Sequence, residues 1–388
     1  MKPNTVIYFD NASTTRVDSH VLDVFNKVHN ETFANPSSIH KEGQKAFYLF
    51  NRTKEEILKC LHLSNHEVIY LSGATEANNL AIKGSALRYK NRGKHIITSS
   101  YEHPSIIEAY EQLKKEFGYY VTYLNPDENG VITAEAVKEA IREDTILVSI
   151  MAVNNEIGSI NPIEEIADLL TQYPKILFHV DACQALGKVE NEINYSKVDL
   201  LTLSAHKIHG LVGFGALIKK KNIDLLPLAS GGGQEYNLRS GTEDLASATA
   251  FTEAIKLVLS NEKQNYIKVK ELSTLLINYL KEHNDLFELN SIEPINPYII
   301  NFSTLTKKGS VVVEALSNNN IMVSSTSACH SSKEVGSYVV KSLGKSESIS
   351  KNTIRVSLDA SNTIEEMKYF IETLDRIIGE IRWLVTII

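Results

Sequence analysis

Three short segments each set a reactive or charged side chain at the end of an apolar run. Ser204-Ala205-His206-Lys207-Ile208-His209-Gly210 follows the run Leu200–Leu203 and places a lysine between two histidines. A lysine in such a strand-end loop loses its proton and forms a Schiff base more readily than a solvated one, although most lone lysines are surface residues. His206 and His209 read only weakly as metal ligands, because no carboxylate or thiol stands at a supporting local spacing. Phe178-His179-Val180-Asp181-Ala182-Cys183-Gln184 puts Asp181 at the end of an apolar strand, where a buried carboxylate needs a cationic partner or protonates. A protonated pyridine nitrogen would be such a partner, held by Asp181 in the electron-withdrawing state that carbanion chemistry needs. A capping aspartate accounts for the residue taken alone equally well. Leu71-Ser72-Gly73-Ala74-Thr75-Glu76-Ala77-Asn78 follows a strand and opens a helix, which offers a hydroxyl and free backbone N–H groups to an anion such as phosphate. By itself that segment is better explained as an ordinary capped helix. Neither GxxxxGKS/T nor GxGxxG occurs, so nucleotide-loop readings lose their main support.

These segments lie in an alternation of strand-like and helical patterns. Val68–Leu71, His95–Ser99, Val121–Leu124, Ile146–Met151, Ile176–Val180 and Leu200–Leu203 are apolar runs, and Ile106, Ile107, Tyr110 and Leu113, or Ile163, Ile166, Ala167, Leu169 and Leu170, recur at helical spacing between them. Such repetition implies a mainly parallel sheet covered on both faces, with functional loops at strand ends. A helical stretch from Thr242 to about His283 holds the expected domain boundary, and Ile299–Ser303, Val311–Ser317 and Ile354–Leu358 build a second unit capped by an amphipathic segment from Thr363 to Ile378.

The 388 residues suit two packed units, and 43% hydrophobic with 22% charged residues is the balance of a folded globular chain. The first residues lack the long apolar stretch of a secretory signal and no later run reaches membrane-spanning length, so the expected location is cytoplasmic. Cys60, Cys183 and Cys329 are too few and too widely spaced for a disulfide framework or CxxC metal pairs. A net charge of −7 gives no general attraction to nucleic acid, and Lys219-Lys220-Lys221 reads as a solvated strand end.

Taken together, these segments resemble the fold-type I pyridoxal-phosphate (PLP) enzymes of the class V aminotransferase group, and within it the NifS/IscS-type cysteine desulfurases. The matching stretches run nearly end to end: Tyr8 to Thr15, Asn35-Pro36-Ser37-Ser38, Ser72 to Leu80, Glu102-His103, Val153 to Gly158, His179 to Gln184, Ser204 to Lys207, Arg239-Ser240-Gly241-Thr242, Ser327-Ala328-Cys329 and Ile354-Arg355-Val356-Ser357. The resemblance implies an α/β fold whose large domain, 16–258, holds a mainly parallel seven-stranded sheet between helices. A smaller α+β C-terminal domain, 259–388, would carry the Cys329 loop and Arg355, and an N-terminal arm, 1–15, would pack on it.

It further implies that Lys207 holds PLP covalently, that Asp181 pairs with the pyridine nitrogen and that His103 stacks on the ring and assists proton transfer. Asn155 and Gln184 would bond the phenolic oxygen. Ala74, Thr75, Ser204 and His206 would hold the phosphate, helped by Thr242 from the partner of a homodimer. Arg355 would fix the substrate carboxylate, with Asn11 and Asn155 nearby. Cys329 would take the sulfur of L-cysteine as a persulfide and release alanine, with no resident metal, although Cys329 would carry sulfur onward toward a metal cluster.

The serine-rich surroundings of Cys329 favour an accessible thiol over a buried one, whereas Cys60 and Cys183 lie in apolar contexts and read as structural. Thr326 stands where the family usually has glycine, and His330 where a hydroxyl residue is common. The chain ends soon after Trp383 without the extension that longer IscS-type enzymes use to dock an iron–sulfur scaffold, which favours a tRNA-thiolation enzyme as the acceptor. Selenocysteine lyase, an aminotransferase of the same class and a non-catalytic scaffold remain alternatives, with Cys329 arguing against simple transamination. No direct contact with nucleic acid or membrane is expected.

Overall fold

The structure is a computed structural model and describes residues 5–325 and 336–386. Its strands are β1 (Ile7–Tyr8), β2 (His66–Leu71), β3 (His95–Ser99), β4 (Tyr120–Leu124), β5 (Thr145–Ser149), β6 (Leu177–Asp181), β7 (Leu200–Ser204), β8 (Gly215–Lys220), β9 (Phe287–Leu289), β10 (Ile299–Thr304), β11 (Ile321–Met322) and β12 (Thr353–Ser357). Among the described residues a seven-stranded sheet runs in the order β2-β8-β7-β6-β5-β3-β4. In this sheet β8 alone runs opposite to the other six strands.

The interior strands are buried along their whole length, as expected of parallel strands sandwiched by helices. Alternate residues feed two cores. Ile69, Ile96, Leu147, Leu177, Leu200 and Leu217 face the helical stretch 74–88 and the helix Pro104–Phe117. Val68, Ile97, Val148, Phe178, Leu201 and Ile218 face the helices Ser19–Glu31, Lys41–Cys60, Ile163–Leu170 and Leu245–Ser260. This second core continues without a break into the C-terminal region through Ile299, Phe302, Leu316, Ile354 and Phe370.

The C-terminal region is a β12-β10-β9 antiparallel sheet covered by the helices Glu262–Glu282, Gly309–Ser317 and Ile364–Thr386. The expected boundary at 258/259 falls inside the last turn of Leu245–Ser260, and the chain breaks helix at Asn261. The N-terminal arm is stitched to this region: β1 pairs in parallel with β11, Ile7 opposite Ile321, and Asp10 bridges to Ser357.

The strand β8 was hidden in sequence by its basic end, and the reading of Lys219 as solvated is corrected here. Lys219 lies directly across from Glu67 in the β2–β8 register and is only 5% exposed. It pairs with Glu67 and donates to the Ile223 carbonyl at 2.7 Å, while Lys220 pairs with Asp199 at 2.8 Å. Removing one partner of such a pair leaves a buried charge uncompensated. Lys219→Met is therefore expected to lower stability by about 3 kcal/mol, and Lys219→Met with Glu67→Leu to cost less than the single change. The midpoint of urea unfolding checks this, and a double variant weaker than the single one contradicts it.

Candidate active site

The carboxyl ends of β2, β6 and β7 open into a cavity of about 600 Å³, closed on the other side by the N-terminal arm and the C-terminal region. This is where ligands bind in open α/β sheets. The last residues of β6 and β7, Asp181 and Ser204, line it together with Ala74, Thr75, His103, Asn155, Gln184, His206, Lys207 and Arg355. Two expected residues do not. Asn11 turns its amide to the carbonyls of Tyr8, at 3.2 Å, and Ser357, at 3.0 Å, and Thr242 is exposed outside the cavity. Cys329, with Thr326 and His330, lies outside the described residues.

Lys207 occupies a short turn, Ala205–Lys207, directly after β7. Its Nζ donates to the carbonyls of Ala12, at 2.6 Å, and Ser13, at 2.7 Å. Burial pushes its pKa down to about 8, with the Arg355 charge adding to the effect against the opposing charges of Cys183, Asp181 and Asp10. Roughly a tenth of the amine is therefore unprotonated and nucleophilic at pH 7, far more than for a solvated lysine.

Both oxygens of Asp181 accept hydrogen bonds, Oδ1 from the Cys183 amide at 3.0 Å and Oδ2 from Asn78 Nδ2 at 2.9 Å. The other Asn78 N–H donates to Ser105 Oγ at 2.9 Å, and Ser105 Oγ lies 2.8 Å from His103 Nδ1. Because that hydroxyl accepts from Asn78, its proton is free to donate to Nδ1, which also accepts from the Ser105 amide at 3.2 Å. Burial lowers the His103 pKa, so the ring is neutral at pH 7 and carries its proton on Nε2. His103 caps the helix that Pro104 begins, and Gly118, at φ 65°, ends it; this fixes the ring's origin at the cavity wall.

Arg355, on β12, donates from one terminal nitrogen to the Asn155 carbonyl at 2.9 Å and from the other to Asp10 Oδ1 at 2.9 Å and Ser13 Oγ at 2.6 Å. The turn before Ala74 requires glycine, since Gly73 has φ 143°, and i−4 bonding of the helix begins with Ala77 N–H to Gly73 O. The amides of Ala74 and Thr75 thus stand ahead of the first helical bond. His206, lowered to about 4 by burial and the Lys207 charge, lines the same cavity as a neutral ring, with Nδ1 3.3 Å from Thr14 Oγ1.

Asn78, Ser105, Asp10 and Ser13 were not singled out from sequence, although Asn78, Asp10 and Ser13 lie inside the quoted stretches. Glu102 is a further one. Its carboxyl is fully buried, accepts from Ser99 Oγ at 2.6 Å and the Met151 amide at 2.9 Å, and burial raises its pKa to about 8. Cys183 lines the cavity, but burial raises its pKa well above that of a free thiol, which suits a structural role.

The fit of a cofactor can be tested on what is left over. Among the described residues, Ser204 Oγ, Asn155 Oδ1, Gln184 Oε1 and Arg355 Nε are buried without a hydrogen-bond partner, and all four residues line the cavity. Each such orphan costs about 1–3 kcal/mol unless a ligand satisfies it. A hydroxyl near the amides ahead of the helix suits a phosphate, the amide oxygens of Asn155 and Gln184 suit a phenolic O–H, and Asp181 suits a ring N–H. The donor set fits PLP.

Comparisons agree with this chemistry. A family model described as Aminotransferase class-V matches residues 7–370. A protein described as a NifS/IcsS protein homolog from Lactobacillus delbrueckii subsp. bulgaricus is 39% identical over 374 residues, covering 96% of this chain and 97% of that one. Cysteine desulfurase IscS of Clostridium botulinum is 37% identical over 382 residues, covering 98% and 96%. A solved structure titled NIFS-like protein superposes with a TM-score of 0.89 at 31% identity, covering 97% of this chain and 100% of the other.

The depressed Lys207 amine sets a pH dependence. Covalent capture of PLP by the cofactor-free protein, trapped with borohydride and read by intact mass, is expected to rise up to about pH 8 and then level off. A rate still climbing toward pH 10 would mean an ordinary lysine.

Proposed function

The chain belongs to the aminotransferase class-V family, and from that premise we propose that it is a PLP-dependent cysteine desulfurase that converts L-cysteine to L-alanine and passes on the sulfur. The observation that carries the reading is the single cavity that gathers a free-amine lysine, a doubly hydrogen-bonded aspartate, a neutral histidine and an arginine with an unpaired Nε. Asp181 would hold the ring nitrogen, Asn155 and Gln184 the phenolic oxygen, and Ala74, Thr75, Ser204 and His206 the phosphate. Bound there, PLP supplies an electron sink that makes the substrate Cα–H acidic.

The remaining work falls to the chain. Arg355 takes the substrate carboxylate. Its position is set by Asp10, Ser13 and Asn155 before substrate arrives, so little ordering is left for the binding step. The Lys207 amine would take the Cα proton and return one, which its lowered pKa permits at neutral pH. His103 presents Nε2–H to the cavity as a donor, because Nδ1 is occupied by Ser105. The Cys329 thiolate attacks the substrate sulfur: an S–S bond forms, the C–S pair stays on carbon, and protonation of that carbon gives the methyl group of alanine. The sulfur then goes to iron–sulfur cluster assembly or tRNA thiolation.

A homodimer belongs to this reading. Thr242 is exposed and off its own chain's cavity, so a phosphate contact from it requires a second copy.

Purified holoenzyme mixed with L-cysteine is expected to release alanine and to gain one sulfur on Cys329, seen by intact mass. Cys329→Ala should form no protein-bound sulfur and lose about two orders of magnitude in alanine production. Alanine formed by that variant at the wild-type rate would sink the persulfide step. Arg355→Lys keeps the charge but loses the planar fork, and its KM for cysteine should rise roughly tenfold or more.

A further inference from the structure

One ion pair joins the loop that carries Lys207 to the strand that carries Arg355. His209 Nε2 lies 3.0 Å from Asp359 Oδ2, with the side chains 31% and 13% exposed. His209 follows Lys207 closely in the chain, and Asp359 follows the end of β12. We propose that His209 and Asp359 act as a clasp that sets Arg355 relative to Lys207, making both positioning residues for the substrate carboxylate. The inference rests on the reading of Arg355 given above.

The geometry requires a charged ring. His209 Nδ1 lies 3.0 Å from the Arg16 carbonyl, which only accepts, and Nε2 faces a carboxylate, which also accepts when ionised. Both ring nitrogens must therefore donate, and only imidazolium does so. His209 is held in this pose at a left-handed φ of 63°, uncommon for a residue with a side chain. Its amide donates to Thr15 Oγ1 at 2.8 Å, and its carbonyl accepts from the Asp18 amide at 3.0 Å. Asp359 is equally constrained, since Oδ1 accepts from the Ser361 amide at 2.9 Å and Ser361 Oγ at 2.6 Å.

The charges around the pair come from three directions. Asp359 raises the His209 pKa against burial and against the opposing charge of Lys188. His209 and Ser361 lower that of Asp359 despite burial. Lys188, buried on the segment that follows Gln184, feels Asp359 as its chief opposite charge, and Tyr298 packs on the same side. With the histidine raised, the clasp is complete below its ordinary pKa and is lost as pH rises through the raised value. With the aspartate lowered, acid breaks it only well below the ordinary carboxylate range.

The test uses holoenzyme carrying His209→Asn, which tolerates the left-handed backbone, Asp359→Asn, which keeps the Ser361 turn, and both together. Each single variant is expected to raise the KM for cysteine about fivefold to tenfold with a smaller change in kcat, and the double variant to be no worse than either single one. In the wild type KM should climb as pH rises through the raised His209 pKa, and that climb should vanish in His209→Asn. Amide exchange should quicken in Asp359→Asn over both 205–213 and 353–362. Additive effects, an unchanged KM, or a pH climb that survives in His209→Asn would each overturn the clasp. If the wild type makes no alanine from cysteine, the desulfurase reading fails; exchange at the wild-type rate in Asp359→Asn overturns the clasp in either case.

Discussion

A buried amine held between two backbone carbonyls is the constraint on which the rest of the site depends. Lys207 and Ala12 are 195 residues apart in sequence, yet Nζ reaches the Ala12 carbonyl at 2.6 Å. Those carbonyls are available only because the N-terminal arm is pinned at several points. Its strand pairs with β11, the Ala12 amide donates to Ser357 Oγ at 2.9 Å, and the Thr15 amide and hydroxyl both donate to the His206 carbonyl. The arm thus lies between the Lys207 loop and β12, touching both. Desolvation there lowers the lysine pKa, and the same arm supplies Asp10 and Ser13 to orient Arg355.

Around that amine the protein keeps its polar groups in defined protonation states through chains of hydrogen bonds. Asp181 is tied through Asn78 and Ser105 to His103, so a strand end, a helix and a helix cap are braced against one another. Low dielectric makes each such bond strong and each missing partner costly. Four atoms on the cavity wall lack that compensation within the described residues, whereas both amide hydrogens of Asn11 are taken by backbone carbonyls. The His209–Asp359 pair adds a further tie, from the chain just after Lys207 to the chain just after β12.

Much of this was legible in the chain. Apolar runs located β2 through β7 to within a few residues, because strands buried on both faces must be apolar throughout. Strand ends then drew attention to Asp181, Ser204 and Lys207. The strand β8 escaped because its charged residues Lys219 and Lys220 are neutralised by Glu67 on β2 and by Asp199 just before β7, and a single sequence does not show that pairing. Asn78, Ser105, Asp10, Ser13 and Glu102 escaped as functional candidates for a related reason, since their side chains are common polar types and each also bonds a residue distant in the chain.

By itself, then, the sequence located six of the seven strands of the large sheet, the loops at their carboxyl ends and the residue types offered there, since burial and periodicity are local properties of a segment. Only the tertiary structure decided which groups are charged, which are neutral and which remain unpaired. The Lys207 amine loses its proton easily because packing buries it, even though the carbonyls of residues 12 and 13 accept from it. His103 carries its proton on Nε2 because Ser105 occupies the other nitrogen, and His209 is held as a cation because a carbonyl and a carboxylate flank it. Protonation follows desolvation and the identity of the nearest partner, and both are settled when distant segments pack.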